Sequence, residues 1–246
     1  MKGMINININ INLLEMELSK LKFPAIGVLF SFLSIQPWMV ASLPSAAGIG
    51  VEIRGIVLDL IKIESIGIVR GLYLPLAISI GGYMAYSIST DFNTGLAQTF
   101  LSYPISRRSY AYSKLLLALI LSLIPSSFSS IMRAAFLVEE DLSLVPVPII
   151  LLLIAMYAFP IASWALLISI LFRKSLFASL GSSIFPWIVI RAISLEKKFK
   201  FGVLLPSGYA DAFMLGNYIP PILSSLSITL FCLAFIEIVI SRLEVL

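Results

Sequence analysis

Apolar stretches of bilayer length are the feature that most constrains this chain. A membrane-spanning helix needs about 20 predominantly apolar residues to cross about 30 Å of hydrocarbon. We predict six such spans, which take up about half of the 246 residues: Phe23–Pro44, Leu72–Ser89, Lys114–Met132, Val145–Phe172, Ser175–Ile193 and Ile219–Ser241. The pattern predicts an all-α integral membrane protein with one transmembrane domain, residues 1–246, and no space for a soluble domain.

Composition supports a membrane protein and excludes several enzyme classes. Hydrophobic residues make up 59% of the chain and charged residues 12%, against roughly half and about a quarter in soluble domains. The chain has no His and one Cys, so zinc proteases, His-based acid–base enzymes and thiol–His nucleophiles are excluded. The net charge of +4 is too small and dispersed to predict nucleic-acid binding. We expect no enzyme activity, no cofactor and no metal.

The first 22 residues predict an arm and a surface helix. Met1–Asn12 alternates Ile with Asn, as a low-complexity arm does. Leu14, Leu18 and Leu21 then follow helical spacing, which predicts a short amphipathic helix lying along the membrane. The apolar run that follows is too long for a cleavable signal peptide.

The basic residues predict the orientation of the spans. Lys and Arg in short loops mark the cytoplasmic side. The number of Lys and Arg residues is almost equal on the two sides. The pairs Arg107–Arg108 and Arg173–Lys174, however, have no acidic neighbours and adjoin span ends. We predict a multi-pass protein of the cell membrane with both termini cytoplasmic.

Three features inside the spans have both a structural and a functional interpretation. Glu237 lies about one turn from the inner end of the last span, where snorkelling or pairing with a neighbouring helix is favoured over an ion path. Prolines in five spans either kink helices to improve packing, which is favoured, or act as hinges: Pro37, Pro75, Pro125, Pro160 and Pro186. Pro75 lies in the first turn of its span, where it also fits a helix start. Clusters of Ser and Gly are packing faces or, less favoured, a substrate path: Ser79–Gly82, Ser126–Ser130 and Ser179–Ser183.

The segment between the second and third spans predicts an amphipathic surface helix. Thr90 or Asp91 can cap its start, Pro104 ends it, and Ser106 can cap the helix that enters the third span. One helical face is apolar and the other polar: Phe92, Leu96, Phe100 and Tyr103 against Asp91, Thr94, Gln98 and Ser102. From the residues alone, this segment equally fits a membrane-surface loop whose basic pair meets acidic lipid headgroups.

The same segment resembles a known family. "STDFNTGLAQTFLSYPISRRSYAYSKLLLALI" is similar to the central signature of type-2 ATP-binding-cassette (ABC) exporter permeases, with the signature positions held by Asp91, Gly95, Leu96, Leu101, Pro104, Ser106, Arg107 and Lys114. The family more often has Glu in the place of Asp91 and Thr in the place of Leu96. "LLEMELSKLKFP" also resembles the family's N-terminal surface helix, and "LLPSGYADAFMLG" resembles its outer segment before the last span.

The resemblance implies a function that the residues do not give unaided. Such permeases form dimers with an identical or a sister chain, and each half engages a separate cytoplasmic ATPase. ATP would be bound by that partner, since this sequence contains no Gly-x-x-x-x-Gly-Lys-[Ser/Thr] phosphate loop. The surface helix would be a coupling helix whose ATPase-coupling residues are Asp91, Thr94, Gly95, Gln98, Pro104, Ser106, Arg107, Arg108 and Lys114.

The predicted function is therefore that of an exporter permease subunit that acts with an ATPase, a second permease and membrane lipids. The alternative is a non-transporting membrane anchor or scaffold that recruits a cytoplasmic partner through the same segment.

Overall fold

The described residues form an all-helical bundle with helices that are long and apolar enough to cross a membrane. The computed structural model describes residues 51–97, 107–137, 144–173, 175–195 and 204–241, and within these ranges it contains no strand. The helices are α1 (Val51–Gly71), α2 (Tyr73–Asn93), α3 (Arg107–Leu137), α4 (Val147–Leu171), α5 (Leu176–Leu195), α6 (Tyr209–Met214) and α7 (Ile219–Ser241), with a 3₁₀ turn at Pro206–Gly208 before α6.

Five helical segments in these ranges are long and apolar enough to cross a membrane. They are the joined α1–α2 segment Leu58–Asn93, Arg107–Phe136, Val147–Leu171, Leu176–Ile193 and Ile219–Ser241. They correspond to the second to sixth predicted spans, and the last agrees at both ends. The predicted first span, Phe23–Pro44, and the predicted surface helix before it lie outside the described residues.

Helix α1 is an element that the hydropathy pattern does not predict. It continues into α2 through Leu72, whose φ of −79° and ψ of −10° are nearly helical. The combined segment Leu58–Asn93 has 36 residues, which at 1.5 Å per residue is about 54 Å and exceeds the thickness of the hydrocarbon. Charged residues such as Asp59 and Glu64 interrupt the apolar run in α1, which is why a search for apolar stretches starts the span only at Leu72.

Helix α4 forms the centre of the bundle. It packs against α1, α2, α3, α5 and α7, and 67% of its span is buried, against 17% for α5 and for α7. The peripheral helices expose large apolar side chains, among them Phe128 on α3, Phe185 on α5 and Phe231 on α7. A helix that is apolar all round is expected in such a centre, and lipid-facing surfaces are expected to be apolar.

Two of the Ser and Gly clusters bring α2 and α5 into close contact. A Cβ atom added to Gly81 would lie 2.7 Å from Ile184 Cγ1 and 3.2 Å from Ser183 Oγ. Ser183 Oγ also donates a hydrogen bond to the Gly81 carbonyl at 3.4 Å. The close approach of these helices therefore depends on the missing side chain of Gly81.

Two prolines inside helices release carbonyl groups that a neighbouring helix satisfies. Proline has no N–H, so it leaves the carbonyl four residues earlier without its helical partner. Pro160 releases the Met156 carbonyl, which accepts from Ser225 Oγ on α7 at 2.9 Å. In α5, Pro186 releases the Ser182 carbonyl, and Trp164 Nε1 on α4 donates to it at 3.1 Å. These prolines link α7, α4 and α5 by hydrogen bonds.

Candidate functional site

The ion pairs among the described residues lie at the two ends of the bundle. We call the end where α2, α4 and α7 finish and α3 and α5 begin the Asp91 end. The opposite end, which carries α6, we call the Tyr209 end. The segment that resembles the exporter signature connects α2 with α3 and so leaves and re-enters the bundle at the Asp91 end.

A buried ion pair joins α2 to α3 at the Asp91 end. Lys114 Nζ lies 2.5 Å from Asp91 Oδ2, and each side chain is only 1% exposed. Lys114 Nζ also donates to Ser87 Oγ at 2.5 Å, and the Tyr110 hydroxyl donates to Asp91 Oδ2 at 2.9 Å. Burial of a charge is costly unless it is paired and hydrogen-bonded. These four residues, which we call the Asp91 clamp, therefore hold the end of α2 against the start of α3.

The predicted position of Asp91 is wrong. The sequence predicts a new helix starting at Thr90 or Asp91, with Asp91 on its polar face. Instead α2 continues through both residues to Asn93, and the Asp91 carboxylate is buried against α3. The preference of Thr and Asp for helix starts is a local effect, and the buried ammonium of Lys114 provides a stronger partner.

Thr94 and Gly95 end α2. Thr94 Oγ1 donates to the Thr90 carbonyl at 2.8 Å, and the Gly95 amide donates to the Phe92 carbonyl at 3.4 Å. Gly95 has a φ of +74°, the left-handed conformation in which glycine commonly terminates helices. Gly95 therefore has a direct structural role in directing the chain away from the clamp. Of the remaining predicted coupling residues, Gln98, Pro104 and Ser106 lie outside the described residues.

A second polar contact joins α3 to α7. Arg108 Nε lies 2.7 Å from Glu237 Oε2 and forms an ion pair with it. The two groups are not aligned for a hydrogen bond. The Tyr112 hydroxyl donates to Glu237 Oε1 at 2.6 Å. We call Arg108, Tyr112 and Glu237 the Glu237 junction. Glu237 thus pairs with a neighbouring helix, which is one of the two interpretations favoured from its position in the sequence.

A cation–π contact joins the turn between α4 and α5 to the end of α2. The Arg173 guanidinium lies 5.9 Å from the centre of the Phe92 ring. Such contacts contribute about 0.5–1 kcal/mol at exposed sites. Arg173 and the pair Arg107–Arg108, which are predicted to mark one side of the membrane, therefore belong to the same end of the bundle. Lys174 lies outside the described residues.

The Tyr209 end is held by neutral aromatic contacts. Tyr157 stacks on Tyr209 with ring centres 6.0 Å apart and meets Tyr73 edge-on at 5.5 Å. The Tyr73 hydroxyl donates to the Trp187 carbonyl at 3.1 Å. The Tyr209 hydroxyl donates to Ser224 Oγ at 3.1 Å, and burial raises the pKa of Tyr209 to about 12. This hydroxyl therefore stays protonated at neutral pH.

Helix α6 and the turn that ends it form part of the segment that resembles the family's outer segment before the last span. Asn217 N donates to the Ala212 carbonyl at 2.9 Å and Gly216 N to the Phe213 carbonyl at 3.1 Å, with Gly216 at a φ of +76°. This pattern is the Schellman motif, in which a left-handed glycine closes a helix. The motif positions the start of α7 beside the aromatic contacts.

Several residues of these contacts were missed by reasoning from the sequence. Ser87 and Asp91 are four residues apart on α2, and Tyr110 and Lys114 are four apart on α3. Polar pairs at that spacing share one helical face. Two such faces on consecutive helices, each near the same membrane boundary, are the signal that predicts a polar contact between them.

The polar contacts of the Asp91 end join α2, α3 and α7. Within the described ranges, no group of three or more Cys, Asp or Glu side chains is placed to hold a metal ion. No protein-family model, curated protein or solved structure matches this chain.

Proposed function

We propose that this chain is the permease subunit of an ABC transporter. It would export a substrate across the cell membrane, paired with a second permease, while a separate cytoplasmic ATPase binds and hydrolyses ATP. The proposal puts the Asp91 end and both termini on the cytoplasmic side. The observation that carries it is that the segment resembling the exporter signature joins the bundle at the Asp91 clamp.

The clamp suits a coupling role because it ties together the two helices that flank the segment. Helix α2 ends at Asn93, two residues beyond Asp91, and α3 begins at Arg107. A force that the ATPase applies to the intervening residues acts on α2 and α3 together, because the Asp91–Lys114 pair resists their separation. Both helices pack on the central α4, so the force reaches the centre of the bundle.

The predicted coupling residues divide into two groups by their position. Asp91 and Lys114 are buried and would position the segment without touching the ATPase. We propose that Gln98 and Arg107, together with Thr94 at the end of α2, face the partner. Basic residues here also suit acidic lipid headgroups.

Site-directed cross-linking tests the proposal. In a Cys232→Ser background, a photo-cross-linker is attached to Gln98→Cys, and the cross-linked protein is purified from native membranes into lipid nanodiscs. The control is Leu215→Cys, which is 74% exposed at the Tyr209 end. We expect Gln98→Cys, and not the control, to capture a protein with a phosphate-loop sequence, in a sample with vanadate-sensitive ATP hydrolysis.

Other results of this experiment distinguish the alternatives. Capture of a cytoplasmic protein without a phosphate loop, in a sample that hydrolyses no ATP, favours the anchor or scaffold function. Capture of the ATPase from Leu215→Cys instead would overturn the proposed orientation.

A further inference from the structure

Glu237 is an acidic residue on α7, a helix with a largely apolar and exposed surface. Its neighbours Phe235 and Ile238 are among the exposed large apolar side chains of α7, and 17% of this span is buried. An ionisable group in such a helix is costly unless it has a partner. Both of its partners come from the first two turns of α3: Arg108, 2.7 Å away, and Tyr112, 2.6 Å away.

The position of these partners relates α7 to the Asp91 clamp. Arg108 is the second residue of α3, directly after the segment that joins α2. Tyr110 and Lys114, which belong to the clamp, alternate along α3 with Arg108 and Tyr112, which belong to the junction. The start of α3 therefore contacts α2 through one pair of polar residues and α7 through another.

We infer that Glu237 is a positioning residue that transmits movement of the segment between α2 and α3 to α7. Helix α7 packs closely on α4, mainly through apolar side chains and the Ser225 hydrogen bond. Among the described residues, the Glu237 junction is the polar contact that connects α7 to α3. The inference rests on the proposed function, since the ATPase is the source of the movement. It also reassigns Arg108 from a residue that contacts the ATPase to one that acts inside the chain.

Spin-label distances between α3 and α7 provide the first test. In the Cys232→Ser background, labels are attached to Ile124→Cys and Ile238→Cys, which are 65% and 50% exposed. Double electron–electron resonance in nanodiscs then reports the distance without any partner. We expect a broader distance distribution in Glu237→Gln, because the ion pair with Arg108 is lost, and restoration of the narrow distribution in the charge swap Arg108→Glu with Glu237→Arg.

The second test adds MgATP and vanadate to the same labelled protein, purified with its ATPase. We expect a shift of the α3–α7 distance in the parent protein and loss of that shift in Glu237→Gln, with ATP hydrolysis retained. Arg173→Gln is the matched control, because it removes a basic side chain at the same end whose ring contact is with α2. It should keep the shift.

The outcomes separate this inference from the proposed function. A Glu237→Gln protein that keeps both the narrow distribution and the shift overturns the positioning role, while the ABC permease proposal stands. Absence of any ATP-hydrolysing partner overturns the permease proposal and with it the transmission role. A broadened distribution in nucleotide-free Glu237→Gln would then still establish that the junction holds α7 to α3.

Discussion

The two ends of this bundle differ in their most deeply buried contact, which is ionic at the Asp91 end and aromatic at the Tyr209 end. At the Asp91 end a fully buried carboxylate and ammonium are 2.5 Å apart, and a second ion pair joins α3 to α7. At the Tyr209 end, three tyrosine rings pack together, and the ion pair Arg70–Asp211 is partly exposed, as the Arg108–Glu237 pair is. Buried ionic contacts depend on both partners, whereas aromatic packing accepts small changes. The end that we propose to face the ATPase is thus the more specific one and the more easily broken.

The largest expected effect comes from removing one partner of the buried ion pair. Asp91→Ala leaves the Lys114 ammonium buried and unpaired, which should lower the free energy of unfolding by about 3–5 kcal/mol. Detergent-denaturation curves in SDS titrations would measure this loss. The double variant Asp91→Leu with Lys114→Met replaces both charges by apolar groups and should lose far less stability. Equal losses in the single and double variants would show that the pair does not stabilise the clamp.

A smaller effect is expected between the two ends, where α2 meets α5. Gly81→Ala adds a Cβ atom 2.7 Å from Ile184 Cγ1, and such overpacking costs about 1–3 kcal/mol. Gly181→Ala is the matched control, because no atom lies within 4 Å of its added Cβ. Thermal denaturation in mild detergent should separate the two variants. If both variants denature at the same temperature as the parent protein, the close approach of α2 and α5 does not depend on glycine at position 81.

The neutral hydrogen bond between Ser225 on α7 and the Met156 carbonyl on α4 should contribute still less to the free energy of unfolding. Ser225→Ala leaves the Met156 carbonyl, which Pro160 has released, without its donor. Hydrogen bonds between membrane helices average about 0.6 kcal/mol and reach about 1.7 kcal/mol. The exposed Ser227→Ala on the same helix is the control and should leave SDS denaturation unchanged. A loss as large as that of Asp91→Ala would contradict the difference between the two ends.

The smallest effect is expected at the exposed ion pair of the Tyr209 end. The Arg70 and Asp211 side chains are 35% and 42% exposed, and exposed pairs contribute about 0–1 kcal/mol. Arg70→Gln should therefore change the free energy of unfolding by less than about 1 kcal/mol. The change should be smaller still in high salt, because salt screens exposed charges. A large loss of unfolding free energy that does not depend on salt would show that this ion pair acts as a buried, specific contact.

Some features of the fold were predictable because they depend on local properties of the chain. The last span coincides with α7, Ile219–Ser241, because an unbroken apolar run makes a helix in lipid whatever lies beside it. Helix α1 was missed because its charged residues interrupt the hydropathy pattern. Its buried face, which includes Ile61, Ser65 and Val69, follows a spacing of four residues and was the available signal.

The candidate site shows the opposite case. The sequence drew attention to Asp91 and Lys114 through the resemblance to exporter permeases, to Arg108 as one of a basic pair beside a span, and to Glu237 as an ionisable residue within a span. It could not show that Asp91 points into the bundle, since that depends on a partner 23 residues away on another helix.

By itself, the sequence determined the helical character of the described residues, the approximate positions of their five long apolar segments, and the residues that carry charge. Those properties follow from the transfer of apolar groups from water to lipid and from backbone hydrogen bonds made within each helix. The tertiary structure decided that Asp91 pairs with Lys114, that Arg108 pairs with Glu237, and that Ser225 and Trp164 satisfy carbonyls released by prolines. These choices depend on which helix faces become neighbours, because a buried polar group requires a partner and only packing brings one within reach.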